Sequence, residues 1–255
     1  MKRFLLIVLL IILIVIGAIS VIARKNVASM NRCVDTVLEE LNKYYTVTVL
    51  DPGEYKNLKL YGMIKFNVEQ YDIEELGNLS VMRVNMGAMQ MATAVITPQN
   101  KNLPLLSVDY LYILSNRKAY LEFYDVVKEK DEPYMQLMDA LKAVAVNYEH
   151  LEDFEPSEAW YDSLLTAASF KSATSKSDDD LINILEDSLQ VYLEHSKRIP
   201  LLSKEECAEK LSITTAYTNG LIENGGVSTD IFKKQLGVEE TRKFFDTVFF
   251  GTAAK

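Results

Sequence analysis

Residues 102–127, NLPLLSVDYLYILSNRKAYLEFYDVV, constrain the fold more than any other stretch, because they read as two β-strands joined by a tight turn at Ser115-Asn116-Arg117-Lys118. Period-two spacing puts Leu103, Leu105, Ser107, Asp109, Leu111 and Ile113 on one face of the first strand. Leu106, Val108, Tyr110, Tyr112 and Leu114 fall on the other. Both faces are mostly apolar, which predicts a central strand with layers packed above and below it. Asp109 then projects into low-dielectric surroundings with no basic neighbour in its own strand, and desolvation raises its pKa. Such a carboxyl is a candidate proton donor near neutral pH. The competing reading is a structural aspartate bonded to backbone or to a tyrosine.

The rest of the chain supplies strands before this pair and helices after it. Thr46–Leu50, Leu58–Val68, Leu79–Met86 and Gln90–Thr97 read as strands, separated by turn signals such as Asp51-Pro52-Gly53. About six strands in succession with short links favour an antiparallel meander over alternating βαβ units. From Glu132 the spacing turns helical. Met135–Tyr148, Ser157–Phe170 around the single Trp160, Asp178–Ser196, Lys204–Glu223, Thr229–Gln235 and Val238–Phe249 are the expected helices. Lys171–Lys176 is the most linker-like piece, too short to divide a domain.

Ahead of this domain, Phe4–Ala23 is a run of twenty uncharged residues, long enough to cross a hydrocarbon core of roughly 30 Å as a helix. The reading is a membrane anchor over 1–25 and one domain over 26–255, with a signal peptide as the alternative. Lys2 and Arg3 on one flank are matched by Arg24 and Lys25 on the other, so charge does not set the orientation. Setting those four aside from the 27 Lys and Arg leaves 23 against 36 Asp and Glu, a domain charge of about −13. That excludes wholesale nucleic-acid binding and disfavours adhesion of the domain to anionic lipid. Cys33 and Cys207 have no metal or redox spacing, and neither His150 nor His195 has a partner at ligand spacing. There is no phosphate-binding glycine loop, dinucleotide fingerprint or nucleophile elbow. Catalysis by such a chain would use acids, hydroxyls and a redox partner or ligand from outside.

The run Pro98–Ile113, with a hairpin and a strand ending in Tyr124-Asp125-Val126-Val127, resembles the central sheet of the ferredoxin-dependent bilin reductases, a family to which red chlorophyll catabolite reductase is related. The resemblance resumes at Pro156–Tyr161 and at Tyr192-Leu193, and closes with Phe232–Phe249, a helix, a Leu-Gly break and a last helix. Roughly residues 75–250 take part. It implies an α/β/α sandwich with a central antiparallel sheet, monomeric, holding a linear tetrapyrrole such as biliverdin between sheet and C-terminal helices. It also implies no flavin or metal of its own and single electrons delivered by ferredoxin.

By the same resemblance Asp109 matches the strand aspartate that protonates or hydrogen-bonds the bilin, with Ser107 beside it on the same face. Thr93 stands where members carry His or Asn, and Thr is a poor acid. A second acid that some members place before the penultimate helix falls near Gly226, where Asn224 and Asp230 are the polar candidates. Arg117 with Lys118, Lys233 with Lys234, and Arg242 with Lys243 are the candidate basic patches for acidic ferredoxin. The membrane anchor, residues 4–23, lies outside the family's plan; a cytoplasmic domain follows from ferredoxin as donor. The alternatives are a non-catalytic tetrapyrrole- or haem-binding protein and an anchored interaction module on the same scaffold.

Overall fold

No Gly or Pro interrupts residues 18–44, and the computed structural model, which describes residues 2–62 and 64–253, shows one continuous helix, α1 (Lys2–Tyr44). The expected boundary at residue 25 is a change of surroundings within that helix. Up to Val21 the described side chains are exposed, whereas Asn26, Met30, Cys33, Val34, Val37 and Leu41 are buried at helical spacing. The N-terminal half is long and apolar enough to cross a membrane.

Nine strands follow: β1 (Val47–Leu50), β2 (Asn57–Leu60), β3 (Ile64–Ile73), β4 (Gly77–Asn85), β5 (Met89–Pro98), β6 (Leu105–Ile113), β7 (Asn116–Tyr124), β8 (Glu152–Asp153) and β9 (Leu165–Thr174). They form one antiparallel sheet in the order β1-β3-β4-β5-β6-β7-β9-β8, with β2 also on β3. The meander from β3 to β7 agrees with the expectation from short links.

Helices cover both faces. The C-terminal half of α1, with α2 (Glu132–Val146) and α3 (Asp178–Arg198), packs on Leu106, Val108, Tyr110 and Tyr112 of β6 and on Ala119, Leu121 and Phe123 of β7. On the other face α4 (Lys204–Asn224), α5 (Val227–Leu236) and α6 (Val238–Phe244), with the wider turn Phe245–Phe249, pack on Phe66, Val68, Met82, Val84 and Val95. The architecture is thus a three-layer α/β/α sandwich behind an apolar helix. A Ser203–Glu206 capping box starts α4. The fully buried Lys210 of α4 donates to the Val126 carbonyl, and burial lowers its pKa to about 7.

Four expectations change. Leu58–Val68 is two strands, β2 and β3, folded back at Tyr61-Gly62; Met63 lies outside the described residues. Ser157–Phe170 is not a helix: a short turn at Asp162–Leu164 leads into β9, which pairs with the edge that β7 would otherwise leave open. Lys171–Thr174, read as part of a linker, completes that strand. The β6–β7 tip is Leu114-Ser115 rather than Ser115–Lys118, since Ile113 pairs with Asn116. Arg117 is therefore inside β7, buried, with Nε 2.6 Å from Asp178 Oδ1, and does not form an exposed basic pair with Lys118.

Candidate functional site

Asp109 lies mid-strand in β6, opposite Thr93 of β5 and Tyr120 of β7. Thr93 Oγ1 donates to Asp109 Oδ1 at 2.5 Å and Ser107 Oγ to Oδ2 at 3.2 Å, so both oxygens are held by hydroxyls of the same face. Ser107 pairs with Glu122 of β7, making Glu122 the diagonal neighbour of Asp109 on that face, at a typical separation of about 7–8 Å. Ser107, Asp109, Leu111, Tyr120 and Glu122 are all half-buried. The opposite face of β6 is closed over by helices; this one is an acidic floor partly open to solvent.

Electrostatics single out the two acids. Burial raises the Asp109 pKa, and the Thr93 and Ser107 hydroxyls oppose the rise. Glu122 is pushed up to about 8, first by burial and then by the Asp109 charge, with the Tyr124 hydroxyl pulling the other way and Asp162 adding to the rise. Two carboxyls so placed resist ionising together, so near neutral pH the pair retains a proton to give.

Aromatic rings wall the floor on two sides. Tyr120 meets Phe154 edge-on at 5.0 Å and Phe170 at 5.8 Å, and Lys118 Nζ lies 4.5 Å above the Phe154 ring. On the other side Tyr124 contacts Tyr217 at 5.1 Å and Tyr161 at 5.8 Å, with Trp160 5.5 Å from Tyr161. Burial first, then the Glu122 and Asp162 charges, push Tyr161 up to about 12. That phenol remains a donor at neutral pH. The arrangement offers protons to a basic atom and flat apolar surface to a planar, conjugated molecule.

Of the residues singled out from sequence, Asp109, Thr93 and Ser107 are brought together. Asn224 ends α4 and Asp230 starts α5, where Asp230 pairs with Lys233 at 3.1 Å. Both are exposed, and neither is among the hydrogen-bond partners of Asp109. Their corner nevertheless borders the aromatic wall, since Trp160 Nε1 donates to the Gly225 carbonyl at 2.9 Å. Glu122 is the residue that sequence reasoning missed. Its signal was the alternation Lys118, Tyr120, Glu122, Tyr124, which becomes informative once the hairpin register lays it beside Asp109.

Fold and floor define a class: an α/β/α sandwich whose antiparallel sheet presents acids and aromatic rings on one face. In fold the chain is similar to phytochromobilin synthase from tomato, solved in complex with biliverdin, with a TM-score of 0.69 at 13% identity over 87% of this chain and 84% of that one. The likeness is one of fold. No family's sequence profile and no curated protein sequence matches the chain.

Proposed function

We propose that this chain binds a linear tetrapyrrole such as biliverdin on the Asp109 face, between the sheet and α4–α6, and reduces it. The observation that carries the reading is the pair Asp109 and Glu122: two carboxyls raised by burial that hold a proton between them near neutral pH, set between aromatic walls in a fold shared with a protein solved with biliverdin bound. Reduction of one double bond takes two electrons and two protons. The electrons arrive singly, one from each of two reduced ferredoxins, each of which is oxidised; the two protons pass in turn from the Asp109–Glu122 pair, which is reprotonated from solvent after each. Thr93 and Ser107 hold Asp109 in one orientation, and Asn224 and Asp230 border the outer end of the bound ligand. Asp109 is thereby the catalytic acid, and α1 acts as a single-pass anchor with the domain on the cytoplasmic side, where ferredoxin docks at Lys234, the exposed member of the Lys233–Lys234 pair. Lys233 is held by Asp230, and Lys243 of the Arg242–Lys243 pair by Glu54 and Glu240.

The test is spectroscopic. The detergent-solubilised full chain, titrated with biliverdin, should give an intensified and shifted long-wavelength band; reduced ferredoxin added anaerobically should then bleach it as product forms. A spectrum unchanged by protein would leave an anchored interaction module. A shifted band that ferredoxin never bleaches would leave a non-catalytic binder.

A further inference from the structure

α1 runs the length of the sheet. At its far end Thr46 accepts from Glu74, and at the near end Asn26 meets the β6–β7 tip, donating from Nδ2 to the Leu114 carbonyl at 3.0 Å while Arg117 Nη2 donates to Asn26 Oδ1 at 2.9 Å. The Tyr112 hydroxyl donates to the Ser29 carbonyl at 3.1 Å, a second tie between the helix and β6 close to that tip. Leu114 N in turn donates to Ala88 O at 2.9 Å, joining the β6–β7 and β4–β5 tips. Register places the β2–β3 tip, Tyr61-Gly62, at the same end, since Phe66 pairs with Val84. Three hairpin tips therefore form one rim, and beyond that rim α1 continues as the apolar run that ends at Ala23.

The tips carry what exposed turns rarely carry. Tyr61, Met86, Ile113 and Leu114 are exposed there. Tyr61 (φ +52°) and Leu114 (φ +53°) hold left-handed backbone, where glycine and asparagine are favoured. Strain of that kind at bulky apolar residues points to a use for the side chains. Exposed Lys59 and Lys65 sit directly opposite each other beside the Tyr61 tip, a like-charge pair that is unfavourable unless an anion faces it. Of the three acids that open α3 beside the rim, Asp178 accepts from Arg117 and from Ser29, Asp179 accepts from Arg32, and Asp180 lies 3.7 Å from His150 Nε2.

We propose that this rim is a membrane seat: Tyr61, Met86, Ile113 and Leu114 enter the lipid headgroup zone on the side where α1 leaves the bilayer. The inference rests on the reading of α1 as an anchor. A rise of 1.5 Å per residue puts Ala23 about 5 Å beyond Asn26, and the headgroup zone is roughly 5–8 Å deep on each side, so the rim lies within it. The basic pair Lys59 and Lys65 faces lipid phosphate. The seat holds the domain in one orientation. Met89, Met91, Leu111 and Ile113, the apolar row leading from Thr93 and Asp109 to the rim, then open the acidic floor towards lipid.

The experiment uses the full chain carrying Cys207→Ser, with Cys33 left in place because it is buried, reconstituted in phosphatidylcholine–phosphatidylglycerol vesicles. A polarity-sensitive thiol probe is placed singly by Leu114→Cys, Met86→Cys or Tyr61→Cys, with Val49→Cys, exposed at the far end of the sheet, as the aqueous control. Ile11→Cys reports on the span. Lipids carrying a quencher at the headgroup should quench the three rim probes several-fold more than the Val49 probe, with blue-shifted emission; an acyl-chain quencher should reach the Ile11 probe. If Ile11 is quenched while the rim probes behave as Val49 does, the seat is wrong and the anchor stands. If Ile11 is not quenched, anchor and seat fall together.

Discussion

The two faces of β6 share a backbone and differ in every other respect. Leu106, Val108, Tyr110 and Tyr112 are almost wholly buried beneath α1, α2 and α3, and the Tyr110 hydroxyl is spent on the Leu181 carbonyl at 2.6 Å. Ser107, Asp109 and Leu111, one residue out of step, are half-buried, and their neighbours Thr93, Tyr120 and Glu122 form the acidic floor. Close packing on one side fixes the strand so that the other side can hold two carboxyls at a set spacing without collapsing around them. The cost of desolvating those acids is carried by a sheet packed on both faces, closely along all of β6 on the α1–α3 side and around the rim of the floor on the α4–α6 side.

Substitutions on opposite faces should therefore fail in opposite ways, and this is the largest expected contrast. Leu106→Ala deletes a buried side chain and should cost about 2–5 kcal/mol of stability, with an unchanged turnover in whatever remains folded. Asp109→Asn preserves shape and should leave melting and biliverdin affinity nearly intact while turnover falls on the order of a hundredfold or more. Melting curves, spectral titrations and single-turnover rates on both variants check this. A full-rate Asp109→Asn chain would remove the residue on which the functional reading turns, and an Asp109→Asn chain that mainly unfolds would make Asp109 structural.

The next contrast is in pH. Asp109 and Glu122 both have folded pKa values above their unfolded ones, the latter near 8 against a usual 4.5. Between those values the folded state holds protons that the unfolded chain has released. Stability from these groups is then complete below the unfolded pKa and is lost as pH rises through the folded one. The chain should melt at a higher temperature near pH 5 than near pH 8, and Glu122→Gln should flatten that slope. The buried Lys210, its pKa lowered to about 7, acts in the opposite sense above that pH, so the deciding comparison is between variants: a Glu122→Gln profile parallel to the wild-type one would show that Glu122 is not as desolvated as its position on the sheet implies.

How the sequence announces these features follows from the physics of each. Apolar residues on both faces of β6 foretell three layers, and short links between strands foretell the antiparallel meander, because both signals are local. Strand β9 is not announced: in Leu165–Thr174 the residues are mostly Ala, Ser and Thr, so period-two contrast is faint, and the strand exists because β7 has an edge to be paired. The split between β2 and β3 rests on Tyr61 and Gly62 turning left-handed, in a stretch where Leu58, Leu60, Ile64, Phe66 and Val68 keep one parity throughout. Within the site, Asp109 and Ser107 are legible as an alternation, and Thr93 enters through resemblance. Glu122 reads as an ordinary surface acid until register sets it beside Asp109.

The smallest expected effect concerns the wall of the floor rather than the floor itself. Gly220, buried within α4, lies against the Trp160 indole, where an added Cβ would clash with the ring carbon Cη2. Gly220→Ala must therefore push the ring away, which its exposed edge allows, and the Trp160–Gly225 hydrogen bond is lost. That loss costs about 0.5–1.5 kcal/mol. Alanine in place of glycine within a helix returns about 1 kcal/mol, so the melting temperature should hardly move. Emission should move, because Trp160 is the only tryptophan: released from Tyr161 and Tyr217 into water, it should shift to longer wavelength. Biliverdin affinity should weaken a few-fold if the ring is part of the ligand's wall. A large drop in melting temperature with unchanged emission would mean instead that the indole is held fast and α4 itself has been displaced.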